Sequence, residues 1–262
     1  MMFIDAHCHL EMEAFDQDRE RIIAEGIKEG LKYILTVGTE MAYFEKVLDI
    51  IERYPHIYGA IGIHPHNSKD YNEGVSEVVD NYLKERRIVA CGEIGLDFFK
   101  DYSPRDSQIE AFKGQIMAAH KAGLPIVVHS RNAVDKTLEI LENMKGFIVG
   151  GVMHCYSYDL PTAKRLLDMG FYISIAGPIT YKNTKVLADV VRYVPVERLL
   201  SETDAPFLTP HPWRGRRNLP HFVKYTVKEM ARIKGMEISA MANAIHENFL
   251  RLFPKVLKGD SR

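Results

Sequence analysis

The chain has 262 residues, 46% of them hydrophobic and 26% charged, with a formal net charge of -1 at pH 7. These values suit one large soluble domain or two small ones, and they exclude a protein that coats nucleic acid through a uniformly basic surface, while leaving room for a local basic patch. Nothing indicates disorder or a membrane span, and the early acidic, histidine-bearing stretch is unlike a secretory signal, so the expected compartment is the cytoplasm.

In chain order, short apolar runs alternate with longer amphipathic ones. The first strand is predicted at "FIDAHC" and runs on into "HLE". Side chains two apart on a strand share a face, so His7 and His9 point together and can meet at one metal ion; a polar strand end with two incidental histidines is the competing reading. Cys8 lies between them on the opposite face and should pack as a small apolar residue, as should Cys155 beside His154. With Cys91 these cysteines form no CxxC pair and no even disulfide set, which fits a reducing environment.

A helix is predicted at "DRERIIAEGIKEG", a strand at "KYILTVG", a helix at "MAYFEKVLDIIERY" and a strand at "YGAIGIH", ending in His64. The strand "IVACGEIG" carries Glu93, the helix "SQIEAFKGQIMAAHKAG" follows, and the strand "PIVVHS" carries His129. After the helix "AVDKTLEILENM" come the strands "GGVMHCY" with His154, "FYISIAG", and "RLLSETD" with Asp204. Gly30, Gly123 and Gly170 stand where helices should stop. "TPHPWRGRRNLP" reads as a long loop, and "EISAMANAIHENFLRLF" as an additional C-terminal helix.

Eight strands alternating with helices imply an α/β protein, a (β/α)8 TIM barrel with an extra C-terminal helix; a doubly wound open sheet is the runner-up. No linker or composition break divides the chain, so one domain over 1–262 is expected. In such a barrel the active site forms where strands give way to the loops after them, and five of the 11 histidines fall there: His7, His9, His64, His129 and His154. Crowding these imidazoles with Glu93 and Asp204 is costly without a cation. Nitrogen and oxygen donors suit Zn, Mn, Fe or, less well, Mg. The donors outnumber the needs of one tetrahedral ion, so two divalent ions are expected. Glu93 would bridge them, with His7, His9 and Asp204 on one side and His129 and His154 on the other, at a separation of about 3.5 to 4 Å.

The stretches "FIDAHCHLE", "GIHPH", "GEIGLD", "VVHSR", "HCYS", "SETDAP" and "RGRRN", in this order over nearly the whole chain, resemble the TatD family of metal-dependent deoxyribonucleases, among the amidohydrolase-like barrels. The resemblance implies that His7, His9, Glu93, His129, His154 and Asp204 are metal ligands and that the reaction is phosphodiester hydrolysis in DNA, at single-stranded ends or damaged sites, with no obligate protein partner. It puts His64 near the reacting centre as a phosphate or transition-state contact, a buried structural histidine being the other reading, and gives catalytic roles to Glu93, Asp204 and His64. Glu202, on the strand face of Asp204, is expected to support it, with an ion pair inside the barrel equally favoured.

Arg131 and Arg216, more than Arg214 or Arg217, are expected to receive phosphate oxygens, and Trp213 either stacks on a base or anchors its loop. Two positions depart from the family pattern: Tyr158 replaces a glycine after the "HCYS" stretch, and Leu219 stands where "RNEP" is usual. A lactonase, amidase or deaminase of the amidohydrolase type is the alternative, disfavoured by a carboxylate rather than a lysine on the fourth strand and by the arginine loop. A non-catalytic metal-binding scaffold has no support, because no expected ligand is missing.

Overall fold

The computed structural model describes residues 1–259, and positions 260–262 of the expected domain lie outside the described residues. Eight strands form one sheet in sequential order: β1 (Phe3–Cys8), β2 (Leu31–Gly38), β3 (Ile57–Ile61), β4 (Ile88–Asp97), β5 (Ile126–Arg131), β6 (Gly151–Met153), β7 (Tyr172–Ile175) and β8 (Leu199–Ser201). Every neighbouring pair is parallel. The segment after β8 returns to β1: the Asp204 N–H donates to His7 O at 2.9 Å and the His9 N–H to Ala205 O at 2.7 Å. A parallel bridge between Cys8 and Ala205 completes this contact and nearly closes a barrel.

Outside it run α1 (Arg19–Lys28), α2 (Met41–Arg53), α3 (Glu73–Tyr82), α4 (Arg105–Ala122), α5 (Val134–Asn143), α6 (Leu160–Asp168), α7 (Lys185–Tyr193) and α8 (Val223–Lys234). The expected extra helix is α9 (Ile238–Leu252), and a short α10 (Lys255–Gly259) follows it. Strands covered on both faces are largely apolar: every residue of β4 is buried, the carboxylates Glu93 and Asp97 included. Helices instead bury one stripe, as α2 does with Phe44, Val47, Ile50 and Ile51. Gly123 ends α4 in the left-handed region, at φ 66°, where a residue with a Cβ is disfavoured. Among the described residues no helix is long and apolar enough to cross a membrane.

Four predicted strands stop short of a site residue. β1 ends at Cys8, one residue before His9. β3 ends at Ile61, and His64 lies beyond it, capping the short 3-10 turn Pro65–Asp70; its side chain accepts the His66 N–H. Proline, with no N–H to give to a ladder, helps to end the strand there. β6 and β8 end before His154 and Asp204. Cys155 (φ 44°) and Asp204 (φ 55°) both adopt left-handed backbone, which an extended strand does not contain. These residues therefore stand on the first turn of a loop, facing the barrel mouth.

Candidate metal centre

Gly95 shows how the strands deliver the site. Its φ is 140°, and a Cβ there would lie 2.0 Å from His129 O, so only glycine lets β4 and β5 approach this closely. Glu93 and Asp97 flank it at a spacing of two and both reach His129: Glu93 Oε1 is 2.6 Å from Nδ1 and Asp97 Oδ2 is 3.3 Å from Nε2.

The six expected ligands come together at the strand ends. His7 Nε2 is 3.4 Å from Glu93 Oε2 and 3.7 Å from Asp204 Oδ1. His9 Nε2 is 3.3 Å from Asp204 Oδ1 and 3.9 Å from Glu93 Oε2. On the other side His154 Nε2 is 2.8 Å from Glu93 Oε1, and 3.4 Å from His129 Nδ1. The two Glu93 oxygens thus face different partners, Oε2 toward His7 and His9, Oε1 toward His129 and His154.

The outer nitrogens of three of these rings meet acceptors, while His7 Nδ1 is buried without a hydrogen-bond partner. His9 Nδ1 faces Val37 O at 3.0 Å and Glu11 Oε1 at 3.2 Å, His154 Nδ1 faces Glu202 Oε1 at 3.1 Å, and His129 Nε2 faces Asp97. With protons held there, the inner nitrogens of His9, His129 and His154 turn bare lone pairs toward carboxylates and one another: His129 Nδ1 and His154 Nε2 are only 3.4 Å apart. Acceptors crowded in this way need protons or cations between them. Glu202 Oε2 adds a buried carboxylate oxygen with no hydrogen-bond partner. Outer N–H to acceptor, inner lone pair to a shared point, is how histidines hold metals, so the donor set fits divalent cations. Among the described residues three groups have their donor atoms within 4.8 Å of one another, the first two sharing His7: His7, His9 and Asp204; His7, His154 and Glu202; His64, Glu93 and His129.

Protonation of a ring is the other way to relieve this crowding. Burial opposes charge on every ring, yet hydrogen bonds to Asp204 and Glu11 raise the His9 pKa well above its usual value. The Glu93 and Glu202 charges do the same for His154, and hydrogen bonds to Asp97 and Glu93 raise His129 against its burial. Glu93 is held well below the carboxylate range, burial being outweighed by the His154 charge and its other histidine neighbours. His7 goes the other way, lowered by burial and the His154 charge. Metal binding therefore competes with protons and weakens as pH falls.

His64 differs from the rest. Its Nδ1 accepts the His66 N–H at 3.1 Å, so Nε2 carries the proton and points at Glu93 Oε1, 3.5 Å away. This makes it a donor toward the centre. Burial lowers its pKa to about 4, so the imidazole stays neutral as pH falls, until acid overcomes its burial. In histidine NMR titrations of the metal-free protein, the His64 resonances should stay unshifted through pH 5.5 and move near 4; a midpoint near 6.5 would show that the ring is solvated.

Glu11, Asp5 and Asp97, not singled out in the sequence, stand beside the expected ligands or their segments. Glu11 is buried and accepts from Thr36 Oγ1 at 2.7 Å while facing His9. Asp5, pushed well up by burial, accepts from Thr203 N at 2.8 Å and Thr203 Oγ1 at 2.6 Å, tying β1 to the segment that carries Asp204. Asp97 faces His129 and, at 2.8 Å, His66 Nε2. A signal existed: Asp5, His7, His9 and Glu11 continue one period of two, as do Glu93 and Asp97 around Gly95. Glu202 faces His154 and accepts the Cys155 N–H at 2.8 Å, so its direct partner is His154 rather than Asp204.

Of the expected substrate contacts, Arg131 ends β5, and Trp213 and Arg216 lie in the loop between β8 and α8. The Arg131 guanidinium lies 4.0 Å from the Phe99 ring centroid, Arg214 lies 4.2 Å from that of Tyr181, and Arg216 lies 5.1 Å from that of Trp213. Trp213 also stacks on Phe222 at 5.6 Å, and its Nε1 is buried without a hydrogen-bond partner. Arg217 pairs with Asp18, Nη2 to Oδ2 at 2.7 Å. Of the two departures, Tyr158 bonds Ser130 Oγ at 2.9 Å beside His129, and Leu219 packs against the core. Cys8 is fully buried, and the half-buried Cys155 belongs to none of the three donor groups.

The model of the TatD related DNase family matches residues 4–254. The chain is 40% identical over 252 residues to the uncharacterized metal-dependent hydrolase YabD of Bacillus subtilis (strain 168), covering 96% of this chain and 99% of that protein. It is 30% identical over 258 residues to the 3'-5' ssDNA/RNA exonuclease TatD of Salmonella typhimurium, covering 96% and 99%. The crystal structure of YJJV, a TatD homolog from Escherichia coli k12, superposes with a TM-score of 0.91 at 30% identity, over 96% of this chain and 98% of the other. Ordered motifs, barrel and ligand geometry agree, and the chain belongs to the TatD-related DNase family of metal-dependent hydrolases.

Proposed function

We propose that the protein hydrolyses phosphodiester bonds in DNA, removing nucleotides from single-stranded ends, with two divalent cations held around Glu93. The observation that carries this reading is the division of the Glu93 carboxylate: Oε2 faces His7 and Oε1 faces His129 and His154. His7, His9 and Asp204 would hold one cation and His129 and His154 the other, with Glu93 between them. Bound there, the cations supply Lewis acidity and lower the pKa of water to the neutral range. Asp204, whose side chain is 15% exposed against 4% for Glu93, faces solvent enough to accept the proton of an attacking water. His64, neutral and donating from Nε2, offers a hydrogen bond to a phosphate oxygen. Glu11, Glu202 and Asp97 hold the rings so that inner lone pairs face the centre.

The Salmonella relative described as acting on single-stranded DNA and RNA supports the substrate class, and the exposed Arg131 and Arg216 suit a polyanion. The deciding experiment offers the metal-loaded protein an end-labelled single-stranded oligonucleotide alongside lactone and amide substrates. Release of nucleotides, abolished by chelator and restored by added metal, is expected; turnover of only the lactones or amides would replace this reading with the amidohydrolase one.

The loop after β8 should hold the strand through two separable contacts. Trp213→Ala is expected to cost about 1 to 3 kcal/mol in oligonucleotide binding, with little dependence on base identity. Arg216→Ala should weaken all sequences alike and lower the salt slope by about 0.7, one phosphate on a single strand. Affinity measured against salt in a non-hydrolysing background checks both, and two unchanged values would remove this loop from the substrate site.

A further inference from the structure

The loop that joins β4 to α4 exposes two large rings at the mouth of the barrel. Phe99 is 53% and Tyr102 61% exposed, yet the segment is held firmly. Asp97 Oδ1 accepts the N–H groups of Phe99 at 2.9 Å and Lys100 at 3.0 Å, while Oδ2 of the same carboxylate faces His129 and His66. Gln108 Nε2 donates to Asp97 O at 3.1 Å and to Ser103 O at 2.9 Å, and Ser103 Oγ donates to His66 O at 2.8 Å. The Tyr102 ring meets His66 edge-on at 4.8 Å. One carboxylate therefore ties this loop to a ring of the metal centre.

A loop pinned so as to keep apolar rings in water forgoes the burial that would stabilise it, which points to a surface that is covered in use. Its charge identifies the cover. Arg131 sits 4.0 Å from the Phe99 centroid, and Lys100 Nζ is 5.8 Å from both ring centroids. Exposed rings interleaved with cations match alternating bases and phosphates, the pattern by which single strands are held without sequence preference. Resting on the proposed hydrolysis of DNA, we infer that Phe99 and Tyr102, with Lys100 and Arg131, form a stacking platform for the bases of single-stranded DNA, on a wall of the mouth separate from the loop after β8.

The test measures binding of a short thymidine oligonucleotide and of an abasic strand of equal length, both with phosphorothioate linkages that resist cutting, in full-length metal-loaded protein with Glu93 intact. Phe99→Ala with Tyr102→Ala should lose roughly 5- to 150-fold in affinity for the thymidine strand per stacked base, with no loss for the abasic strand and an unchanged salt slope. Lys100→Gln with Arg131→Gln should instead weaken both strands and flatten the slope. Phe99→Leu with Tyr102→Leu keeps apolar bulk without rings and should resemble the alanine pair. If the leucine or alanine pair binds the thymidine strand as tightly as its parent, the platform is overturned while the hydrolysis reading stands. If the parent binds neither strand and releases no nucleotide from an unmodified one, both are overturned.

Discussion

Glu93→Ala should abolish hydrolysis, lowering kcat/KM by at least about 10³-fold, beyond the roughly 10- to 100-fold typical of residues that only orient a ligand. The reason is its position. It is a buried carboxylate whose two oxygens lie 3.4 Å from His7 and 2.6 Å from His129, and the second of them is also 2.8 Å from His154. Removing it should also lower the number of tightly held metal ions, read by elemental analysis after dialysis. Because alanine leaves a cavity among imidazoles, Glu93→Gln serves as the partner variant, preserving volume while removing the charge. A folded glutamine variant with wild-type metal content and wild-type rate would show that Glu93 bridges nothing.

His7→Ala combined with His9→Ala should weaken metal binding far more than it perturbs the barrel. A ligand that binds only the native state stabilises it by RT ln(1 + [L]/Kd), about 2.7 kcal/mol at a hundredfold excess over Kd. The wild-type chain should therefore melt at a higher temperature when metal is added, and the double variant should lose most of that gain while its far-ultraviolet circular dichroism stays unchanged. His7 is fully buried, so part of the metal-free stability will fall as well, and the informative quantity is the metal-induced difference. An equal shift in both proteins would mean that the opening histidines are a polar strand end and nothing more.

Much of the fold was legible because its signals are local. A strand covered on both faces must be largely apolar, a helix against a sheet must repeat at three and four, and Gly123 must close α4, so eight strands and their alternation with helices could be read residue by residue. The strand ends were less legible. His64, His154 and Asp204 were expected on strands and stand just beyond them, because Pro65 and the left-handed backbone at Cys155 and Asp204 are set by the loops that follow.

The candidate ligands were visible in the same way, as imidazoles and carboxylates at the ends of apolar runs. The sequence by itself determined the alternation, the family motifs and the donor chemistry, since each depends on residue type and short spacing. Tertiary structure decided which nitrogen of each ring faces inward, and through which partner: Glu11 for His9, Asp97 for His129, Glu202 for His154 across 48 positions of chain. It also decided that Arg217 pairs with Asp18, 199 positions away, while Arg131, Arg214 and Arg216 lie over aromatic rings. Such pairings exist only once β8 returns to β1 and the loops are brought around one mouth, and no period along the chain encodes a contact that barrel closure creates.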